Sequence, residues 1–310
     1  MRVDGDIVTA GLVNTHHHFY QWLTRGRAVG CDLFGWLTEL YPVWAKLTPE
    51  DVHAAALVAL AELALTGCTT AADHHYVVPG GDDSVFDAIA SAARTIGIRA
   101  HIARGSMDLG ESRGGLPPDF LVEELDAILA STESVVGRLR DGERVVVTVA
   151  PSSPFTVTPE LMRESAALGR RLGLRLHTHL AETLDEERDA LARFGRRPVD
   201  LVEEPGWLAD DVWVAHGIHC NDDQVRRLGA AGLGVACLGP GRSGARAGPA
   251  GQARPRRGAA GGPRRAPARG RRRPAPPGAG PQGTAGVACL TPYPSWWLAT
   301  PCLVAGHPVA

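Results

Sequence analysis

The sequence lacks three features that define large classes of protein. Its six cysteines are scattered without a C-x-x-C pair, which argues against a disulfide framework and indicates a reducing compartment. Residues 1–6 carry acids where a signal peptide needs an apolar core. No stretch offers the roughly 18 uninterrupted apolar residues that a membrane span requires. We therefore expect a cytoplasmic protein with no membrane partner.

Acidic residues are absent from the last part of the chain. All 34 acids lie in residues 1–223 with 19 of the 32 basic residues, whereas residues 224–310 hold 13 arginines and no acid. Gly and Pro make up 27 of the 72 residues in 239–310, a level typical of low-complexity segments. We predict a folded domain over residues 1–238 and a disordered tail over 239–310.

Apolar runs alternate with Ala/Leu-rich runs along residues 7–237, at a spacing of about 30 to 40 residues. The predicted strands are 7–13, 68–72, 99–103, 145–150, 175–180, 212–216 and 233–237. The predicted helices are 48–65, 83–96, 120–139, one starting at 158, 185–194 and 222–231. Strand then helix, repeated six times, predicts a parallel α/β fold.

Polar and ionisable residues end nearly every predicted strand, as they do in the active sites of (β/α)8 barrels. An open doubly wound sheet also binds ligands at strand ends, but around one switch point, and no G-x-G-x-x-G follows any of the first six predicted strands. The two matches to this pattern, residues 239–244 and 278–283, lie in the Gly/Pro-rich segment. We predict an incomplete (β/α)8 TIM-type barrel with about six to seven βα units.

His16 and His18 follow the first predicted strand. Residues i and i+2 of a strand point the same way, so these two imidazoles share a face and form a pair of metal ligands. A cloning tag would lie at a terminus with no strand leading into it, so we discount that alternative.

The end of the fifth predicted strand adds His179 and Glu182. His179 is a candidate third ligand, and Glu182 is free to carry protons beside the metal. Three neutral histidines leave an open position for a water molecule. His216, after the sixth strand, is a candidate ligand or a group that positions the water, and the alternative is a core histidine.

We do not expect the remaining histidines to bind the metal. We expect His17 and His177 to face away from the ligands and to be structural. His74 and His75 end the second strand and are candidates for the pocket wall. His101 is expected in the core, and His53 and His307 are expected to be inert.

Several of these stretches together resemble the amidohydrolase superfamily, in its nucleobase and triazine deaminase branch. The matching stretches are residues 11–21, 67–70, 104–107, 114–118, 177–183 and 215–219. The resemblance implies one Zn²⁺ per chain, with Fe²⁺ as the alternative, held by His16, His18 and His179. It also implies a proton-transfer role for Glu182 and a hydrogen bond from His216 to the attacking oxygen. Gln21 and His75 would contact the substrate.

The reaction implied by the resemblance is hydrolytic deamination of a purine-like ring. The expected substrate is 8-oxoguanine, which would give urate and ammonia, and a hydroxytriazine or guanine is the alternative. Oligomeric state stays open, with a homo-oligomer possible. The family pattern also includes an Asp after strand eight, and no acid follows Asp223. This departure suggests a frameshift at about residues 236 to 240. Family members also carry a longer segment before strand one than the few residues that precede Ile7, which suggests a shortened N-terminus. The two departures together suggest a weakly active or inactive remnant.

A different class of function is suggested by the tail. Residues 254–273 hold nine arginines, which could neutralise nucleic-acid phosphates. No aromatic residues interleave with them to stack on bases, and the frameshift explains the composition without a function. We therefore do not expect a nucleic-acid partner.

Overall fold

The computed structural model describes residues 10–141 and 144–236. The strands are β1 (Leu12–Asn14), β2 (Cys68–His75), β3 (Arg99–Ser106), β4 (Val145–Pro151), β5 (Leu176–Leu180), β6 (Val212–His216) and β7 (Gly234–Ala236). The α-helices are α1 (Leu33–Trp44), α2 (Pro49–Leu65), α3 (Ser84–Ile96), α4 (Leu125–Leu139), α5 (Pro159–Arg171), α6 (Leu184–Phe194), α7 (Pro198–Glu203) and α8 (Asp222–Ala230). Short 3₁₀ helices cover Phe19–Thr24, Pro79–Gly81, Glu111–Arg113 and Asp119–Leu121.

The seven strands form one parallel sheet whose spatial order is the chain order, β1 to β7. A doubly wound sheet would reverse its order at a switch point. Consecutive order with a helical connection between most neighbours instead curls the sheet into a half-barrel, which confirms the predicted fold class. All carboxyl ends therefore meet at one rim.

Local chemistry explains where α2 begins. Thr48 accepts a hydrogen bond from the backbone N–H of Asp51, and the Asp51 carboxylate accepts one from the backbone N–H of Thr48. Pro49 occupies the first helical turn, where its missing N–H costs nothing. The predicted helix start at Thr48 is confirmed.

Helix α1 was not predicted. Its sequence contains Gly35 and Pro42, both of which disfavour helix interiors. The helix forms because Asp32 caps it, accepting from the N–H of Gly35 at 2.8 Å. Its inner face buries four large apolar side chains, among them Tyr41 and Trp44. Tertiary burial outweighs local propensity here. The short helix α7 was also not predicted.

The core lies mainly between the sheet and the helices. One cluster of buried side chains joins β2–β4 to α1–α4, and a second joins β4–β6 to α5, α7 and α8. The concave side of the sheet is different, because it carries several buried histidines. No helix in the described part of the chain is long and apolar enough to cross a membrane. Residues 7–9, Cys237, His307 and the predicted tail lie outside the described residues.

Candidate metal centre and active site

The loop after β1 is held in place by backbone contacts from its neighbours. The Trp213 indole Nε1–H donates to the carbonyl of Thr15 at 3.2 Å, and the N–H of His74 donates to the carbonyl of His17 at 2.7 Å. The Oδ1 atom of the buried Asp73 side chain accepts from the N–H of Phe19 at 2.7 Å. These bonds fix the backbone on both sides of His16 and His18.

Hydrogen bonds to carbonyl groups identify the tautomers of two histidines. His18 Nδ1 lies 2.6 Å from the carbonyl oxygen of His74, and His179 Nδ1 lies 2.7 Å from that of Ser152. A carbonyl can only accept, so both Nδ1 atoms carry hydrogen and both Nε2 atoms are lone-pair acceptors. These two acceptors face each other at 3.1 Å. Two lone pairs repel at that distance unless a proton or a cation lies between them.

Metal coordination explains this arrangement. Tetrahedral Zn–N bonds of about 2.0–2.1 Å place neighbouring ligand nitrogens roughly 3.3 Å apart. His16 lies alongside, and its buried Nε2 finds no hydrogen-bond partner within residues 10–141 and 144–236. The candidate ligand atoms of His16, His18 and His179 all lie within 4.8 Å of one another. The three imidazoles therefore fit a divalent metal.

Burial keeps these imidazoles neutral, which metal binding requires. It lowers the pKa of His16 and His18 well below the ordinary value, with neighbouring histidines adding to the effect, and lowers that of His179 to about 4. A second group of three buried histidines also meets the spacing for a metal: His16, His74 and His177.

Glu182 lies in the turn that follows β5. Ala181 before it has φ 52°, and the Glu186 carboxylate accepts from the N–H of Ala181 at 3.0 Å and of Glu182 at 2.7 Å. This clamp supports a left-handed conformation that a non-glycine residue rarely adopts. The turn directs the Glu182 side chain into the cavity beside His179.

The Glu182 carboxyl is poised to exchange protons near neutral pH. Burial, with a smaller effect from the Glu186 charge, raises the pKa of Glu182 to about 8. Its Oε2 lies 3.4 Å from His216 Nε2. Burial lowers the pKa of His216 to about 3, so this ring is neutral. His216 also has φ 78°, a strained conformation of the kind found at functional sites.

One cavity of about 800 Å³ opens onto this group at the carboxyl end of the sheet. Its lining includes His16, His17, His18, Gln21, Trp22, Tyr76, Ser152, Ser153, Phe155, His179, Glu182 and His216. Six of the seven predicted site residues are thus brought together: His16, His18, Gln21, His179, Glu182 and His216. Gln21 Nε2 lies 3.4 Å from the hydroxyl of Tyr76.

The structure places His75 away from this cavity. Its side chain is fully buried between the rings of Tyr20 and Phe86, at centroid distances of 4.8 and 5.6 Å. Strand alternation sends it to the helix side of β2, while His74 points to the concave side near His179, with ring centroids 4.5 Å apart. Of the two histidines predicted for the pocket wall, His74 is the one that lies beside the candidate metal ligands.

The expectation for His177 was wrong. It was assigned to the opposite face from His179, but residues i and i+2 share a face, and the His177 ring lies beside His16 on the concave side. His17 also borders the cavity, where its ring packs against Phe19 at 5.1 Å. Tyr76 and Glu186 were missed because their roles depend on tertiary contacts that no local pattern signals.

The amidohydrolase family model matches residues 7–258. The chain belongs to the amidohydrolase family. It is 56% identical over 234 residues to 8-oxoguanine deaminase of Pseudomonas aeruginosa, covering 74% of this chain and 52% of that protein. Hydroxydechloroatrazine ethylaminohydrolase of Pseudomonas sp. strain ADP is 41% identical over 239 residues, covering 74% and 49%.

Solved amidohydrolase-type structures share the fold. Atrazine chlorohydrolase of Arthrobacter aurescens TC1, complexed with zinc, superposes with a TM-score of 0.71 at 31% identity, covering 74% of this chain and 53% of that one. An adenosine deaminase of Xanthomonas campestris with bound zinc gives 0.63 at 25% identity, covering 73% and 48%. This amidohydrolase chain spans about half the length of the curated relatives it matches.

Proposed function

We propose that this chain belongs to a metal-dependent aminohydrolase that converts 8-oxoguanine and water into urate and ammonia. The observation that carries the proposal is the pair of acceptor nitrogens on His18 and His179, facing each other at 3.1 Å beside Glu182. The 56% identity to an 8-oxoguanine deaminase supports the choice of substrate. A hydroxytriazine or guanine is the alternative ring.

His16, His18 and His179 would hold one Zn²⁺ or Fe²⁺ per chain. When bound, such an ion supplies Lewis-acid activation of a water molecule. Three protein nitrogens leave a coordination position open, as catalytic zinc sites require.

Glu182 would carry the protons of the reaction. With a pKa raised to about 8, its carboxyl is largely protonated at neutral pH and can donate to a ring nitrogen. The resulting carboxylate accepts a proton from the attacking water and delivers one to the departing amine. The new C–O bond replaces the C–N bond, and ammonia leaves.

His216 would orient the attacking oxygen. Its neutral ring stacks against that of His179 with an interplanar angle of 18°. Since Nε2 faces Glu182, the two side chains frame the same region of the cavity. Removing either group would slow the chemical step more than it weakens substrate binding.

The rest of the cavity suits a flat heteroaromatic ring. Trp22, Tyr76 and Phe155 supply aromatic surfaces for stacking. The Gln21 amide offers a donor and an acceptor to a ring edge, and Ser152 and Ser153 add hydroxyl groups. A small purine or triazine is therefore the proposed partner of this site.

The test is ammonia release by the purified full-length chain, after metal analysis, across 8-oxoguanine, guanine, isoxanthopterin and a hydroxytriazine. We expect the highest kcat/KM with 8-oxoguanine and a loss of about 10²–10⁴-fold in kcat for Glu182→Gln. Glu187→Gln is the matched control, because Glu187 pairs with Arg197 outside the cavity. A chain that binds one metal ion but releases no ammonia from any of these rings would contradict the proposal and support an inactive remnant.

A further inference from the structure

His177 contacts the metal-ligand candidate His16 without belonging to its ligand group. His177 Nε2 lies 2.9 Å from His16 Nδ1, and both rings are buried. The other nitrogen of His177, Nδ1, lies 2.8 Å from the carbonyl oxygen of Trp213 on β6. The His177 ring also stacks on the Trp213 indole, with centroids 4.4 Å apart and an interplanar angle of 19°. Trp213 thus fixes the position of the His177 ring both through its carbonyl oxygen and through its indole.

These contacts indicate which ring nitrogen carries hydrogen in His177 and in His16. The Trp213 carbonyl can only accept, so His177 Nδ1 carries hydrogen and, in the neutral ring, His177 Nε2 is an acceptor. His16 Nδ1 must then be the donor in the 2.9 Å contact. The lone pair of His16 is therefore on Nε2, the buried atom for which the described residues offer no partner.

We propose that His177 is a positioning residue: it selects the His16 tautomer that presents Nε2 to the metal. The proposal rests on the metal centre of the proposed function. A hydrogen bond from the second nitrogen of a ligating histidine commonly sets its tautomer and orientation. Here the acceptor is a second neutral histidine, itself oriented by a strand carbonyl.

The hydrogen-bonded series from the Trp213 carbonyl through His177 to His16, called the relay below, also distinguishes between the two histidine groups whose spacing suits a metal ion. A cation bound by His16, His74 and His177 would need lone pairs where His16 Nδ1–H now donates to His177. The proton of the relay and a cation at the inner group therefore exclude each other. The relay directs the metal to His16, His18 and His179, which open onto the cavity.

The first experiment uses the unaltered chain. Long-range ¹H–¹⁵N correlation spectra of the metal-free protein report the tautomer of each neutral histidine, and His16→Asn assigns the His16 signals. We expect hydrogen on Nδ1 of His16, with Nε2 unprotonated. Hydrogen on Nε2 of His16 would overturn the inference whether or not the metal centre is active.

The second experiment measures Zn²⁺ affinity by competition with a chromogenic chelator. His177→Phe keeps a ring against Trp213 but cannot accept from His16, and we expect affinity to fall about 10–100-fold. His177→Gln can accept through Oε1 and donate to the carbonyl, so it should restore most of the affinity. His101→Phe is the matched control, because this half-buried histidine also packs against Trp213, at a centroid distance of 5.0 Å, and belongs to neither histidine group with metal spacing.

The outcomes separate the two proposals. If the wild-type chain binds no Zn²⁺, the proposed metal centre fails, and the tautomer spectrum still tests the relay. If wild type binds Zn²⁺ and folded His177→Phe binds it equally well, the inference fails alone. Equal losses in His177→Gln and His177→Phe would also overturn it. In a zinc-soaked crystal, we expect the anomalous peak among His16, His18 and His179, and a peak at the inner group would contradict the relay.

Discussion

Two arginine–glutamate pairs have the same N···O distance, 2.7 Å, and very different surroundings. Arg104 and Glu123 have side-chain exposures of 0% and 9%, whereas Arg171 and Glu133 have 63% and 47%. The buried guanidinium binds both oxygens of Glu123 and also donates to Ser131. The comparison separates the effect of burial from that of contact distance.

Glu123→Gln leaves the guanidinium of Arg104 buried without its counter-charge. Breaking a buried pair by removing one partner costs about 3–5 kcal/mol, because the remaining charge cannot be hydrated. Glu133→Gln leaves an arginine that water solvates freely, and the expected cost is about 0–1 kcal/mol. A folded domain has only about 5–15 kcal/mol of stability, so the first change removes a large fraction of it.

The assay is urea unfolding of the full chain, followed by tryptophan fluorescence. With a denaturant slope of about 2–3 kcal/mol per molar, the midpoint should fall by roughly 1–2.5 M for Glu123→Gln and by less than about 0.5 M for Glu133→Gln. The double change Arg104→Met with Glu123→Leu removes both charges and should destabilise less than Glu123→Gln alone. Equal midpoints for the two glutamine variants would refute the reasoning.

Two further predictions concern packing and pH. Gly105→Ala would bring a Cβ to 2.5 Å from the backbone of His75 and Tyr76, so we expect a loss of about 1–3 kcal/mol in the free energy of unfolding. Gly137→Ala has open space around it in α4 and should add about 0.5–1 kcal/mol. Similar urea midpoints for the two variants would contradict this packing account. Burial raises the pKa of Glu186 from 4.5 to about 7. Between these two pH values the folded state holds a proton on Glu186 that the unfolded state has lost. The contribution of this residue to the free energy of unfolding therefore falls by about 3 kcal/mol as the pH rises from 4.5 to 7. Glu186→Gln should flatten that part of the profile in unfolding measurements between pH 4.5 and 7.5, and an unchanged slope would show that Glu186 does not titrate there.

Much of the fold follows from local patterns. The start of α2 at Thr48 and the order of strands and helices depend on neighbours in the sequence, so they were predictable. Helix α1 was not, because its Gly35 and Pro42 disfavour a helix and are offset by the Asp32 cap and by the burial of four apolar side chains. Its existence depends on contacts with distant parts of the chain.

Some residues of the candidate site could likewise be predicted from the sequence, and others could not. His16, His18 and His179 were predictable from strand alternation and position at strand ends. His177 was assigned to the wrong face, although the same alternation rule places it beside His179. The role of Glu186 could not be predicted, because it depends on a left-handed turn at Ala181 that no residue type in that stretch requires.

The candidate ligands also lie far apart along the chain. His18 and His179 are separated by 161 residues, with His18 in the loop after β1 and His179 in β5. An ion shared by them would act as a cross-link that closes a very long loop. By chain-entropy arguments, a link of that length restricts the unfolded chain by about 5 kcal/mol. The centre would then hold the half-barrel together as well as serve its chemistry, because the same ion would tie its first strand to its fifth.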